Sequence, residues 1–153
     1  MKVKSDADMR KLGEQIGAEL KGGEILELVG DVGVGKTTFV KGLARGLEIT
    51  DDVQSPSFTI NRNYRGRDGL MLNHYDFYRL HEPGIMAMEI AESLGESKNI
   101  TVVEWGASVR DVLPSKRIVV KITYLPDEGR EVELEIPKQF NHLSDKIVIK
   151  EDI

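Results

Sequence analysis

Residues Gly30 to Thr37 read G-D-V-G-V-G-K-T, which satisfies the pattern G-x-x-x-x-G-K-[ST] at every position. Each residue type has a chemical reason to be there. Gly33 and Gly35 permit backbone conformations closed to residues with a Cβ, so the loop can turn its N–H groups inward around phosphate oxygens. Lys36 brings a positive charge to the β- and γ-phosphates, where it can serve both binding and catalysis. The Thr37 hydroxyl can ligate Mg²⁺ held between those phosphates. An apolar run, Ile25 to Val29, precedes the loop and a helix-like stretch, Thr38 to Leu47, follows it. That strand–loop–helix setting is what gives the motif its meaning. A chance match in a chain of this length occurs with a frequency of about 0.005 at average composition. The residues therefore predict binding of a nucleoside triphosphate.

Hydrolysis or transfer needs more than a phosphate cradle. It needs a carboxylate near Mg²⁺ and a group to position the attacking oxygen. Glu104 follows the β-branched run Ile100-Thr101-Val102-Val103 and should emerge at the carboxyl end of that strand. Asp76 lies in His74-Tyr75-Asp76-Phe77-Tyr78-Arg79, where alternation puts His74, Asp76 and Tyr78 on one face and Tyr75 and Phe77 on the other. This divides the work: Glu104 holds Mg²⁺, directly or through water, and Asp76 orients water or the metal's shell. His74 can contact a phosphate or water, or serve as a hydrogen-bonded structural residue. Arg79 can meet developing phosphate charge or pair with a nearby acid. Alternation points Trp105 away from Glu104, either into the core or onto a nucleotide or partner face. Arg62, Arg65 and Arg67 cluster near one predicted hairpin, as a solvated tip or as a contact for a nucleic acid or an acidic partner.

These side chains need a scaffold. Met9, Leu12, Ile16 and Leu20 recur at helical spacing over residues 6–21, with Ser5 or Asp6 as cap and Gly22-Gly23 as stop. Strand-like segments cover 25–29, 58–64, 70–77, 100–103, 117–124 and 131–136. Helices are expected at 38–47 and 85–94, with a short one at 107–113. Asp68-Gly69 and Asp127-Glu128-Gly129 mark two hairpins. The order implies an α/β fold with a mostly parallel sheet flanked by helices. The nucleotide should sit at the strands' carboxyl ends, and the hairpins should add antiparallel strands at the edges. Residues 1–137 read as one domain and 138–153 as a polar tail with one strand-like stretch, 146–150.

With 153 residues, 40% of them hydrophobic and 31% charged, the composition is that of a soluble globular domain. No apolar run approaches the 18 or so residues of a membrane span. The first residues lack the apolar core of a secretory signal. The absence of cysteine excludes disulfides and thiolate metal sites and fits a reducing cytoplasm. A net charge of −5 argues against broad nucleic-acid binding through phosphates.

G-D-V-G-V-G-K-T-T, S-P-S-F-T, H-Y-D-F-Y-R-L and E-W, in this order and spacing, resemble the TsaE (YjeE) family of small bacterial ATPases. That family is required for threonylcarbamoyl-adenosine modification of tRNA. The resemblance runs from about Ser5 to Ile136. It implies that Gly33, Val34, Gly35, Lys36, Thr37 and Thr38 wrap the phosphates of ATP, that Thr37 and Glu104 coordinate Mg²⁺, and that Asp76 is the catalytic carboxylate. It also implies a nucleotide-sensitive, switch-like loop at Ser55, Pro56, Ser57, Phe58 and Thr59, and an adenine site near Ser5 and Gly129-Arg130. The implied partners are TsaB and TsaD, with tRNA approached through them. Two departures stand out. Ser57 replaces the usual threonine, and Gly106-Ala107 replace the usual proline and acidic residue after E-W. The P-loop also serves small-molecule kinases, GTPases and non-catalytic binding modules. The kinase is the main alternative, although the lid insertion such enzymes carry is missing here. No N-K-x-D string favours GTP.

Overall fold

Four apolar runs of the chain become parallel strands, and everything else is arranged around them. In the computed structural model, which describes residues 1–56, 61–78, 84–105 and 110–144, the elements run β1 (Lys2–Val3), α1 (Asp6–Glu19), β2 (Ile25–Val29), α2 (Lys36–Gly46) and β3 (Asn61–Arg65). They continue with β4 (Met71–Asp76), α3 (Gly84–Leu94), β5 (Asn99–Glu104), β6 (Ile118–Tyr124), β7 (Arg130–Glu135) and α4 (Asn141–Ser144). One sheet holds seven strands in the order β1-β7-β6-β2-β5-β4-β3. Its centre, β6-β2-β5-β4, is parallel, and β3, β7 and β1 add antiparallel edges. The strand carrying the glycine loop thus lies centrally, beside the strand ending in Glu104. The fold is of the P-loop NTPase type, as the pattern of elements predicts.

The sheet is covered on both faces. Leu26, Leu28, Leu72, Val102 and Val120 pack with residues of α1 and α2 in the larger core. Ile25, Tyr75, Phe77 and Val103 join Ile90 of α3 and Leu113 in a smaller one. The alternation along β4 is as read: Tyr75 and Phe77 enter the smaller core, and Leu72 the larger.

Helices α1 and α2 meet backbone to backbone. A Cβ on Gly17 would lie 2.3 Å from the Leu43 carbonyl oxygen, and one on Gly42 would lie 2.2 Å from that of Arg10. Only glycine fits this crossing. Both helices are then closed at their carboxyl ends by a single side chain. Arg67 donates from Nη2 to the carbonyls of Gly17, Ala18 and Leu20 at 2.9–3.0 Å, and from Nε to Gly46 at 3.4 Å. Arg67 is therefore an internal clasp on helix ends rather than a solvated hairpin tip or a partner contact.

Several boundaries differ from expectation, for local reasons. Helix α2 begins at Lys36 rather than Thr38, because Gly35 at φ +118° already turns the chain into the first helical turn. Helix α1 stops at Glu19, where Leu20 is extended. Strand β1 is two residues long and too short to show a period. Residues 110–113 form a turn closed by Leu113 N–H to the Arg110 carbonyl. Within 138–144, Phe140 and Leu143 are buried in the larger core, so this polar stretch begins with residues that belong to the body of the fold. Residues 57–60, 106–109 and 145–153 lie outside the described residues, and with them most of the strand end expected at 58–60, the helix start at 107 and the strand at 146–150.

Candidate nucleotide site

The phosphate loop leaves β2 at Val29 and feeds α2. Gly33 sits at φ +78° and Gly35 at φ +118°, in the left-handed region that a Cβ disfavours. Among the described residues no side chain caps the start of α2, which directly follows the loop. Unpaired N–H groups and the positive end of the helix dipole make this an anion site. Val34 is buried and anchors the loop from beneath. The β6–β7 hairpin braces it from behind. Arg130 Nε donates to the Val34 carbonyl at 3.0 Å, and the Tyr124 hydroxyl donates to the Val32 carbonyl at 3.3 Å. The Arg130 guanidinium also lies over the Tyr124 ring. This brace was not read from the sequence; two polar residues flanking a hairpin gave no signal of it.

A cavity of about 430 Å³ opens in front of the loop. Lys36, Thr37, Asp76 and Glu104 all line it, together with Gly33, Gly35 and Thr38. The register of β4 and β5 sets Asp76 directly beside Glu104. Lys36 Nζ donates to the carbonyls of Gly30 and Asp31, the latter at 3.2 Å. Burial pushes the Lys36 ammonium below its ordinary value, and the carboxylates of Glu104, Asp76 and Asp31 act in the opposite direction. The Asp76 carboxylate accepts the Tyr78 N–H at 3.0 Å.

Trp105 packs on the smaller core with Val103, the face that alternation gives it, and its ring also reaches the cavity. Strand β5 ends at Glu104, and Trp105 takes φ +56°. Its ring centre comes to 4.2 Å from Lys36 Nζ and 5.0 Å from the ring of Tyr78. It lines the cavity and also packs on the smaller core. The left-handed turn after the strand brings the ring over Lys36, and the residue type did not announce that turn. Tyr78, on the same face as Asp76 by alternation, lines the cavity as well.

A family model described as "Threonylcarbamoyl adenosine biosynthesis protein TsaE" matches residues 3–132. The chain belongs to the TsaE family. Among curated relatives named tRNA threonylcarbamoyladenosine biosynthesis protein TsaE, that of Bacillus subtilis is 39% identical over 73% of this chain and 69% of its own length. Those of Treponema pallidum and Aquifex aeolicus are 36% and 34% identical, covering 84% and 86% of this chain and 94% and 92% of their own. The crystal structure of Bacillus subtilis YdiB superposes with a TM-score of 0.78 at 30% identity, over 96% of this chain and 91% of that one.

The remaining candidates fall as follows in this TsaE-family fold. Ser55 lines the cavity and Pro56 is buried, whereas Ser57, Phe58, Thr59 and Arg79 lie outside the described residues. Ser5 caps α1, accepting the Asp8 N–H at 3.1 Å. Gly129 sits in the β6–β7 turn, with Lys2 and Val3 as neighbours. The N-terminal segment and the hairpin are therefore adjacent, joined by β1–β7 pairing, although neither Ser5 nor Gly129 lines the cavity. His74 is fully buried and reaches Glu104 instead of the cavity. A larger cleft of about 570 Å³ lies by β2 and β6, bounded by Glu27, Asp31, Arg110 and Lys121. Lys36, Asp76 and Glu104 line the smaller cavity and not this cleft. Among the described residues no helix is long and apolar enough to cross a membrane.

The donor set fits a hard cation. Thr37, Asp76 and Glu104 offer oxygen only. Among the described residues no three His, Asp or Glu side chains converge as a cage. One hydroxyl and one or two carboxylates suit Mg²⁺ arriving on phosphates, since that ion keeps much of its shell from substrate and water.

Proposed function

We propose that this TsaE-family protein is a Mg²⁺-dependent ATPase acting in threonylcarbamoyl-adenosine modification of tRNA. It works in the cytoplasm with a TsaB–TsaD pair, using ATP binding and hydrolysis to support that pair's turnover. The observation that carries the reading is the convergence of Lys36, Thr37, Asp76 and Glu104 on one cavity. Family membership supplies the biological setting.

The roles follow from residue chemistry. The N–H groups from Gly33 to Thr38 bind the phosphate oxygens, and Lys36 turns from the loop carbonyls to the β- and γ-phosphates. Thr37 and Glu104 hold the Mg²⁺, which when bound neutralises charge developing on the phosphates. Asp76 orients the attacking water. Ser55 begins a segment that senses the nucleotide, and adenine lies toward Ser5 and Gly129. Trp105 and Tyr78 form an aromatic wall that limits water at the cavity mouth. No arginine lines the cavity among the described residues, so turnover by the isolated protein is slow.

The test is ATP turnover measured with Mg²⁺, with and without the purified TsaB–TsaD pair. A slow basal rate that changes on adding the pair supports the reading. No binding to the pair and an unchanged rate would sink the partner-coupled part. Faster phosphorylation of a metabolite than of water would move the protein to the kinase class.

A further inference from the structure

We propose that His74 is a positioning residue for Glu104: its imidazole donates from Nε2 to one carboxylate oxygen and so fixes which oxygen Glu104 presents to the metal. This rests on the Mg²⁺–ATP reading above. The contact is 2.7 Å long, between a fully buried ring and a carboxylate that is 2% exposed. Both side chains are on the α1–α2 face of the sheet, on neighbouring parallel strands. His74 is opposite Val102, one pleat below the pair Asp76 and Glu104.

The ring's other nitrogen narrows the reading. Nδ1 is buried and has no hydrogen-bond partner among the described residues. A carboxylate oxygen accepts, so Nε2 carries the hydrogen in the contact. A neutral ring then leaves only a lone pair unpaired at Nδ1. An orphaned N–H there would cost more. Among the described residues the ring's one hydrogen-bond partner is therefore Glu104. The histidine's neighbours on this face are the core residues Leu72 and Val102, Asp76 two residues on, and Arg62 across the β3–β4 ladder, none of which hydrogen-bonds the ring among the described residues. For packing alone an aliphatic side chain would serve better, since burying an incompletely paired polar group costs free energy. Local conflicts of this kind concentrate at functional sites. Outer groups that hydrogen-bond a metal ligand set its orientation, and losing one typically weakens metal binding about 10–100-fold.

The experiment is a Mg²⁺ titration at fixed ATP, read by calorimetry and by the fluorescence of Trp105, the only tryptophan. It uses the wild type, H74L, H74Q, E104Q and the H74L/E104Q double variant. In H74L the Mg²⁺ midpoint should rise about 10–100-fold, while ATP binding in EDTA stays at the wild-type value. H74Q, whose amide can donate, should recover most of the loss. The double variant should be no worse than E104Q, because His74 acts through Glu104. A wild-type midpoint in H74L, or additive losses in the double variant, overturns the proposal. If E104Q itself matches the wild type, the metal role of Glu104 falls, and the His74 proposal with it. If E104Q shifts and H74L does not, only the His74 proposal falls. A folding failure of H74L leaves a direct measurement on the wild type. The ¹⁵N spectrum of labelled histidine should show His74 with its hydrogen on Nε2. A ring protonated at Nδ1 alone would overturn the inference.

Discussion

The two ends of helix α2 are built on opposite rules. At its amino end, Lys36, Asp76 and Glu104 are buried around a cavity with His74 behind Glu104, and among the described residues no side chain caps the leading N–H groups. Along its body and at its carboxyl end, Gly42 and Gly46 press against the backbone of α1, and Arg67 closes the terminal carbonyls. One end gathers buried polar side chains around open space. The other is packed backbone to backbone, with no room for a Cβ at Gly42 or Gly46. A helix held this firmly along its length can leave its first turn open. Chemistry and stability are thereby assigned to different parts of one element.

Substitutions at the two ends should therefore separate binding from stability. The largest effect belongs to Lys36→Ala. Removing two charge-assisted contacts to phosphates costs about 3–4 kcal/mol of binding, or roughly two to three orders of magnitude in the dissociation constant of ATP. Calorimetry checks it, and an unchanged affinity would remove the phosphate cradle from the account. Without nucleotide, the melting temperature should hardly fall, because the ammonium is buried at a cost in the free protein. Next comes Gly42→Ala, whose Cβ would meet the Arg10 carbonyl oxygen at 2.2 Å. Neither backbone can yield without separating the helices, so about 3 kcal/mol of stability should be lost. Denaturant melts report this directly. A Gly42→Ala protein of wild-type stability would mean that the two helices are not locked, and the contrast between the ends would collapse.

How much of this contrast was legible in the sequence follows the same division. The open end was readable because its chemistry restricts residue type: a cradle needs Gly33 and Gly35, and phosphates need Lys36. Glu104 and Asp76 were placed by strand alternation, which the sheet preserved through residues 76 and 104. One residue later Trp105 still packs on the smaller core, as alternation has it, but no side-chain pattern specifies the left-handed backbone that brings its ring over Lys36. The locked end was nearly silent. Gly13, Gly17, Gly42 and Gly46 look like weak points in helices until the helices are set against each other. Arg67 read as a surface charge, since its four acceptors lie at least 20 residues away in the chain. Contacts of that separation exist only after the topology does. His74 shows the intermediate case: alternation put it on the right face, but only the register of β4 against β5 revealed that its partner is Glu104.

Arg67→Met gives the smallest effect and the sharpest division between the ends. Methionine keeps much of the apolar stem and removes the guanidinium. The carbonyls of Gly17, Ala18, Leu20 and Gly46 then lose a shared charged donor, and water can replace only part of it because the side chain is mostly buried, at 20% exposure. Loss of a cation at two helix carboxyl ends and of its hydrogen bonds should cost about 1–2 kcal/mol. For a domain of this size that lowers the melting temperature by about 2–8 °C. The phosphate cavity lies at the other end of α2, so ATP affinity below the transition should stay within about twofold of wild type. High salt should not reproduce the loss, because a buried clasp is screened far less than a surface pair. If ATP binding fell in step with stability, the far end of the helix would be setting the loop's geometry, and the two regions would have to be treated as one cooperative unit.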